Sequence, residues 1–339
     1  AAASLSQVYH LDLEGYGDVA VKVRRPGIRR QICLDLFLLR RLAGAVSQYS
    51  GLNTDFVALV DEYGERLVDE LDFFKEAANA QEFQSSAEKL GFASVCRAAQ
   101  PLLALTTNCV LVTEWVDGQR LDAVTDPEEA QRLQGVALSA YLAMLLETGT
   151  LHADPHGGNL LRAKCGRLVI IDWGLVTHLS PRLRKQLLTY MAHVLAKDYE
   201  AVPRDLVELG FILDNKVDSM EEAAMVTAIS SIFRQLASGG SVKRRVADVL
   251  PALGRIRRRH GSVGQVPAPF VYILRAFSIL EGHGLRLDAG YRIVGDCYPY
   301  LASWLSRAHG EESRPLIRTL MYGPNASHDH PVPHGEQVM

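Results

Sequence analysis

The chain has 339 residues, 48% of them apolar and 22% charged, with a formal net charge of −3. That is the composition of a folded domain with an ordinary core, and the length suits one large bilobal domain or two ordinary ones. The near balance of charge gives no overall electrostatic support for binding nucleic acid.

The five cysteines, at positions 33, 96, 109, 165 and 297, are odd in number and never form a C-x-x-C pair. This points away from a disulfide framework or a zinc site and toward a reducing compartment. The basic clusters Arg24-Arg25, Arg29-Arg30, Arg40-Arg41 and Arg257-Arg259 read as solvated helix faces or snorkelling side chains. No apolar run reaches the ~18 residues needed to span a bilayer. The longest, Val136 to Leu146, is interrupted by Ser139 and Tyr141 and reads as a buried helix. The chain opens at Ala1 inside a motif, which reads as a start truncated within the first strand.

Residues 1–24 read as strands, with the β-branched Val19-Ala-Val-Lys-Val23 following the turn Glu14–Gly17. Pro26-Gly27 stops the second strand. From Arg29 to Ala45, Ile32, Leu36, Leu39 and Leu42 recur at helical spacing. A further helix is expected after Asn53-Thr54-Asp55, running with a break to about Leu90. Strands are expected near Phe92–Val95 and Cys109–Trp115, and Asp117-Gly118 ends the second. Asp126-Pro127-Glu128-Glu129 opens a helix, with proline in the first turn and acids at the positive end of the dipole. That helix should end near Thr148-Gly149. A loop and short hairpin follow, with strands near Asn159–Arg162 and Leu168–Ile171. After Ser180-Pro181 the pattern is helical to about residue 308, and residues 322–339 read as a loose polar tail. The expected organisation is α+β and bilobal, with a β-rich N-lobe over 1–118, a helical C-lobe over 119–310 and a tail over 311–339.

Asp154, Asn159 and Asp172 carry the oxygen donors that suit a hard cation such as Mg²⁺. Phosphoryl transfer needs such a cation on the phosphate oxygens and a residue that orients the acceptor. In His152-Ala-Asp-Pro-His-Gly-Gly-Asn159 the spacing of Asp154 and Asn159 is that of a kinase catalytic loop. Asp172-Trp-Gly174 follows the apolar strand Leu168–Ile171, as a kinase's second metal-binding aspartate does, and Gly174 is expected to let the backbone turn away from the metal. A transition-metal site of His152, Asp154 and His156 is disfavoured for want of a fourth ligand, and His152 is expected to pack and hold the loop.

Lys22, in the middle of its strand, is placed to reach the α/β-phosphates of ATP and to pair with a glutamate of the next helix, for which Glu76 is the choice. The small residues Ala1, Ala2, Ala3 and Ser4 stand where a phosphate loop precedes such a lysine, and Val8 is placed to cover an adenine ring. Val110–Gly118, an apolar strand running into Glu114, Trp115 and Val116, fits a hinge whose backbone would bind adenine.

Taken together, AAASLSQVY, VAVKVRRPG, ELDFFKEAANA, LVTEWVDGQRL, LHADPHGGNLL and VIIDWGLV resemble the ABC1/UbiB family of atypical kinases. Arg275–Gly282 and Gly284–Asp288 resemble the family's C-terminal helices, so the likeness runs over about residues 1–305. It implies a kinase-like fold with extra helices that binds ATP with Mg²⁺. It implies that Ala1 to Ser4 form an Ala-rich loop in place of a Gly-rich one and that Lys22 and Glu76 are an ion pair at ATP. Glu70 and Asp72 would form the family's ExD element, Asp154 the catalytic-loop aspartate, and Asn159 and Asp172 the metal ligands. It also implies a role in isoprenoid-quinone or lipid metabolism with a small-molecule or lipid substrate, peripheral membrane association, and a plastid, mitochondrion or bacterium as setting, the plastid favoured.

Three departures stand out. Gly157 replaces the usual proline, which should loosen the catalytic loop, Ser6 replaces glycine, and Trp173 replaces phenylalanine. The family's Lys-x-Gly-Gln element, partner of the ExD acids, would lie upstream of Ala1. No Ala-Pro-Glu follows Asp172-Trp-Gly174, and Ser180-Pro181 opens a helix within a few residues, so a platform for a protein substrate is not expected. Two other readings stay open on the sequence: a nucleotide-binding regulator or scaffold with little catalysis, and an aminoglycoside- or choline-kinase-like phosphotransferase, whose loop also reads His-x-Asp-x-His-x-x-Asn.

Overall fold

The computed structural model describes residues 5–49, 56–195, 198, 200–210 and 268–307. It divides into two compact units, one of residues 1–124 and 157–176, the other of residues 125–156 and 177–339. The units are discontinuous in sequence. The sequence division at residue 118 follows the chain, whereas the packing returns 157–176 to the first unit, because its hairpin pairs with strands from earlier in the chain.

The first unit begins with an antiparallel hairpin, β1 (Ser6–Leu13) and β2 (Gly17–Arg24), closed over Gly15 and Gly17, both at positive φ. A glycine at such a position avoids the strain that a Cβ would add. After Gly27, also at positive φ, come α1 (Ile28–Tyr49) and α2 (Phe56–Asp69), which pack on each other. α3 (Phe73–Lys89) follows a break at residues 70–72. Its buried residues Phe73, Glu76, Ala77, Ala80, Phe83 and Ala87 repeat at helical period along one face. That face meets β4 (Val110–Glu114), where Phe73, Ala77 and Leu111 form one cluster. β4 completes a sheet of order β1-β2-β4.

A second sheet has β3 (Cys96–Ala98), β5 (Gly118–Arg120), β7 (Leu160–Ala163) and β8 (Leu168–Ile170), in the order β3-β8-β7-β5. The early strand thus lies at Cys96–Ala98, not at Phe92–Val95. The turn residues Phe92–Val95 are spent on closing α3, where Phe92 and Ala93 donate to the Ala87 carbonyl.

In the second unit, α4 (Pro127–Ala143) starts on Asp126, whose side chain accepts from the Glu128 N–H. A π-helical turn, Met144–Thr148, continues it to Gly149, which ends it in the left-handed conformation. The run Ala140–Leu146 is buried throughout, as expected of a core helix. The chain then enters β6 (Thr150–His152). α5 (Pro181–Leu195) and α6 (Val202–Glu208) pack together, and α7 (Ala268–Leu287) and α8 (Ile293–Arg307) pack on α4. The expected tail, residues 322–339, lies outside the described residues.

Candidate active site

Strand register decides what shares a face. Val8 stands opposite Lys22, so both side chains lie on one side of the β1–β2 ladder, along with Ala20. Lys22 stands opposite Leu111 on β4, whose side chain meets Phe73 and Ala77 of α3. α3 therefore lies over the Lys22 face. On its buried face Glu76 is a carboxylate among apolar neighbours, and a buried charge needs a partner. Lys22 supplies it, its ammonium 2.8 and 3.0 Å from the two Glu76 oxygens. The Phe73 ring lies 5.4 Å from the same nitrogen.

Asp172 Oδ1 is the third member of the group, 2.9 Å from Lys22 Nζ. Burial works against the Lys22 ammonium, but the carboxylates of Glu76 and Asp172 outweigh it and hold its pKa above the ordinary lysine value. Burial pushes the Glu76 carboxyl up to about 7, against the opposing pull of Lys22.

Asn159 and Asp172 are set by the β7–β8 hairpin. The register Leu160↔Ile170 continues through an Ile171 N–H to Asn159 O bond of 2.9 Å, so Asn159 and Asp172 leave the same end of the ladder. Asn159 is buried. Asp172 has φ +60, the one positive φ at a non-glycine residue among the described residues. Such a conformation persists only where the surroundings fix it, and it clusters at functional sites. The sharp turn expected of Gly174 is thus taken by Asp172. A Cβ at Gly174 would lie 3.4 Å from Asp172 Oδ1 and 3.5 Å from Glu76 Oε2, in ordinary contact, so Gly174 lies beside both carboxylates. Trp173 anchors the segment, fully buried beside Phe83, with its indole N–H donating to Ile170 O and its own carbonyl accepting from Asn79 Nδ2.

The hinge residues play parts that the sequence reading did not separate. The Glu114 side chain accepts from Arg97 and from the Gln100 N–H, so it ties β4 to the segment after β3. Val116 packs against Ala99, Ala163 and Val169. Asp72 caps α3, accepting from the Phe74 N–H at 3.1 Å, while Glu70 is half-buried just before it. Ala1 to Ser4 lie outside the described residues.

Gly157 is buried, and a Cβ there would fall 2.6 Å from the Asp122 side chain, which Arg120 holds. The loop expected to be looser for want of proline is packed at this position by an aspartate instead.

In the second unit, fully buried His152 shares a 2.7 Å hydrogen bond between Nδ1 and the Tyr141 hydroxyl, with the Asp154 backbone nitrogen 3.4 Å from the same ring nitrogen. Asp154 Oδ1 is 2.9 Å from Arg275 Nη2 of α7, and His156 Nε2 lies 4.0 Å from Oδ2.

Arg275 and Asn79 were missed as site residues. Asn79 had a signal, since it follows Glu76 by one helical turn. Arg275 had none beyond its place in a family-like stretch.

The match to family models runs over residues 1–206, to the ABC1 atypical kinase-like domain. The chain therefore belongs to the ABC1 atypical kinase-like family. It is 33% identical over 325 residues to a chloroplastic aarF domain-containing protein kinase of Arabidopsis thaliana, covering 95% of this chain and 45% of that protein. It is 32% identical over 313 residues to the chloroplastic protein ACTIVITY OF BC1 COMPLEX KINASE 3 of the same plant, covering 90% of this chain and 42% of the relative. The chain thus spans about half the length of the curated relatives it matches. Among solved structures, Rv3197 of Mycobacterium tuberculosis, seen in complex with erythromycin, superposes with a TM-score of 0.59 at 23% identity, over 88% of this chain and 74% of that one. This likeness gives the α+β, kinase-like fold. The family match removes the aminoglycoside- or choline-kinase reading.

Proposed function

We propose that the chain is the core of an atypical kinase or ATPase that uses MgATP and serves isoprenoid-quinone or lipid metabolism at a membrane, in a plastid or a related bacterium. The observation that carries the reading is Lys22 gripped by Glu76 and Asp172 from two other segments. A cation fixed within β2, facing the same side as Val8, suits phosphate oxygens. Asn159 and Asp172 offer only oxygen-bearing side chains at one end of a hairpin, which fits Mg²⁺, a cation that takes few protein ligands and completes its shell from phosphates and water. When bound, the cation would neutralise charge on the phosphates. Glu76 keeps Lys22 in place, and Asp172 is held ready by its fixed backbone. The phosphate acceptor would be a small molecule or lipid, or water. The chloroplastic and cyanobacterial relatives support the setting.

The test is thermal. MgATP should raise the unfolding midpoint of the full natural protein, and Asp172→Asn should abolish the shift. A wild-type protein indifferent to MgATP sinks the reading.

One observation favours a second reading, a nucleotide-binding regulator with little turnover. Asp154 is already paired with Arg275 at 2.9 Å, so its carboxylate is engaged by the protein itself and is not free to orient a phosphate acceptor. ATP turnover separates the two: an enzyme loses it in Asp154→Asn, whereas equal rates in variant and wild type favour the regulator.

A further inference from the structure

α1 is apolar on two sides, and packing among the described residues explains only one. Ile32, Leu36 and Ala43 face inward, and Leu36 Cδ1 lies 3.1 Å from where a Cβ on Gly64 of α2 would be. Leu34, Leu38 and Leu42 are 57%, 56% and 61% exposed, and Phe37 is 54% exposed. Their spacing makes this a designed row rather than scatter. Arg30, Leu34, Leu38 and Leu42 succeed one another every four residues, and Phe37 and Arg41 fill the adjacent row. The Arg41 guanidinium sits over the Phe37 ring at 5.3 Å. Arg40, by contrast, turns to Asp61 on α2. In a chain of net charge −3, the stretch Arg24–Arg41 carries six arginines and a single acid, Asp35.

We infer that the outer face of α1 is a docking surface for an anionic lipid bilayer. Three properties select that occupant. The face is a single convex helical stripe about 33 Å long (22 residues at ~1.5 Å each), suited to lying in a plane and not to receiving a segment in a groove. Its apolar row is bordered by long cationic side chains that can lay their stems on the hydrocarbon and their heads among phosphates. Arg30 and Arg41 lie within the face and the single acid, Asp35, only at its far edge, so a second copy placed face to face would set arginines against arginines, whereas anionic headgroups complement them. None of the described helices is long and apolar enough to cross a membrane, so the contact is interfacial. This deepens the membrane part of the function proposed above and is independent of nucleotide use.

The test is co-sedimentation of the full natural protein with phosphatidylcholine vesicles, with and without phosphatidylglycerol. Binding is expected only to the phosphatidylglycerol vesicles. The pair Leu34→Glu and Leu38→Glu should weaken it more than tenfold. The pair Arg30→Gln and Arg41→Gln should weaken it about thirtyfold at low salt, as expected for two arginines near an anionic surface. Because these side chains point away from α2, the unfolding midpoint and its shift with MgATP should be kept, and Leu42→Glu alone serves if the double change does not fold. Wild-type protein left in the supernatant overturns the proposal. So does binding that ignores the α1 changes, although the membrane reading would then stand with another surface as its seat. A dimer that Leu34→Glu and Leu38→Glu dissolve would replace the bilayer with a second copy.

Discussion

Two of the carboxylate centres among the described residues are built on opposite terms. In the first unit, Glu76 and Asp172 close on Lys22, whose side chain is 17% exposed while that of Glu76 is 4% exposed. All three residues belong to a sheet, a helix and a hairpin end that are fixed by their own packing. In the second unit, Asp154 sits on a loop and meets Arg275, whose side chain is 49% exposed. Charges taken out of water must be matched, and removing one partner leaves the other stranded. Charges left partly in water lose little when separated. The Lys22–Glu76 pair is therefore part of the architecture, while Asp172, 44% exposed, and the second centre are adjustable.

The largest test of that contrast is Glu76→Ala. It leaves Lys22 beneath α3 with the partly exposed Asp172 as its remaining carboxylate and should cost about 3 kcal/mol in chemical denaturation, the low end for a broken buried pair. Lys22→Met combined with Glu76→Leu should cost less than the two single changes added together, because the pair is coupled. A loss as small as that of a surface pair would place the first centre on the same terms as the second. Next in size is Tyr141→Phe. It removes the hydroxyl hydrogen-bonded to buried His152 and should cost about 1–3 kcal/mol, read the same way. If it proves neutral, His152 does not hold the Asp154 loop through that bond.

The two centres also differ in how far the sequence revealed them. Lys22, Asn159 and Asp172 each carry a local signature: a lysine centred in a β-branched run, an asparagine five residues after an aspartate, an Asp-aromatic-Gly behind an apolar strand. Glu76 was chosen as an acid of the helix after Lys22, and its place on the buried face of α3 came only with the structure. Helix boundaries near Asp126 and Gly149 were legible because capping is local chemistry. What escaped was decided by distance along the chain. Nothing near Arg275 announces Asp154, nothing near Asp122 announces that it fills the space at Gly157, and Asp72 reads equally well as a site acid and as the N-cap that it is. The strand at Cys96–Ala98 was misplaced because its pairing with β8 is parallel and long-range, which outweighs local propensity.

A third carboxylate–cation pair lies between these extremes and can be tuned by pH. His193 on α5 meets Asp205 on α6 at 2.7 Å, and the hydrogen bond to Asp205 raises its pKa above the ordinary histidine value. A raised folded-state pKa means that the stabilisation is full below the ordinary value of about 6.5 and is lost as pH rises through the folded-state value. The unfolding midpoint should therefore fall as pH climbs from the acid side of neutrality to the alkaline side. His193→Gln should flatten that fall, and a slope unchanged in His193→Gln would assign it to other groups.

The smallest effect on stability is expected where function is most exposed to change. Arg275→Ala removes a partly solvated pair and should shift folding free energy by less than about 1 kcal/mol. Its effect on turnover depends on what the pair does. If Arg275 fixes the orientation of Asp154, the loss should appear in kcat more than in KM, at about ten- to a hundredfold, as expected when a reacting group is misplaced by an ångström or less. Arg275→Lys keeps the charge but not the planar fork, so it should restore the loss only in part. If Arg275 instead occupies the Asp154 carboxylate, removing it frees that group and turnover rises. A fall with partial rescue by lysine marks a positioned catalytic loop, a rise marks a restrained one, and turnover unmoved by either change sides with the regulator.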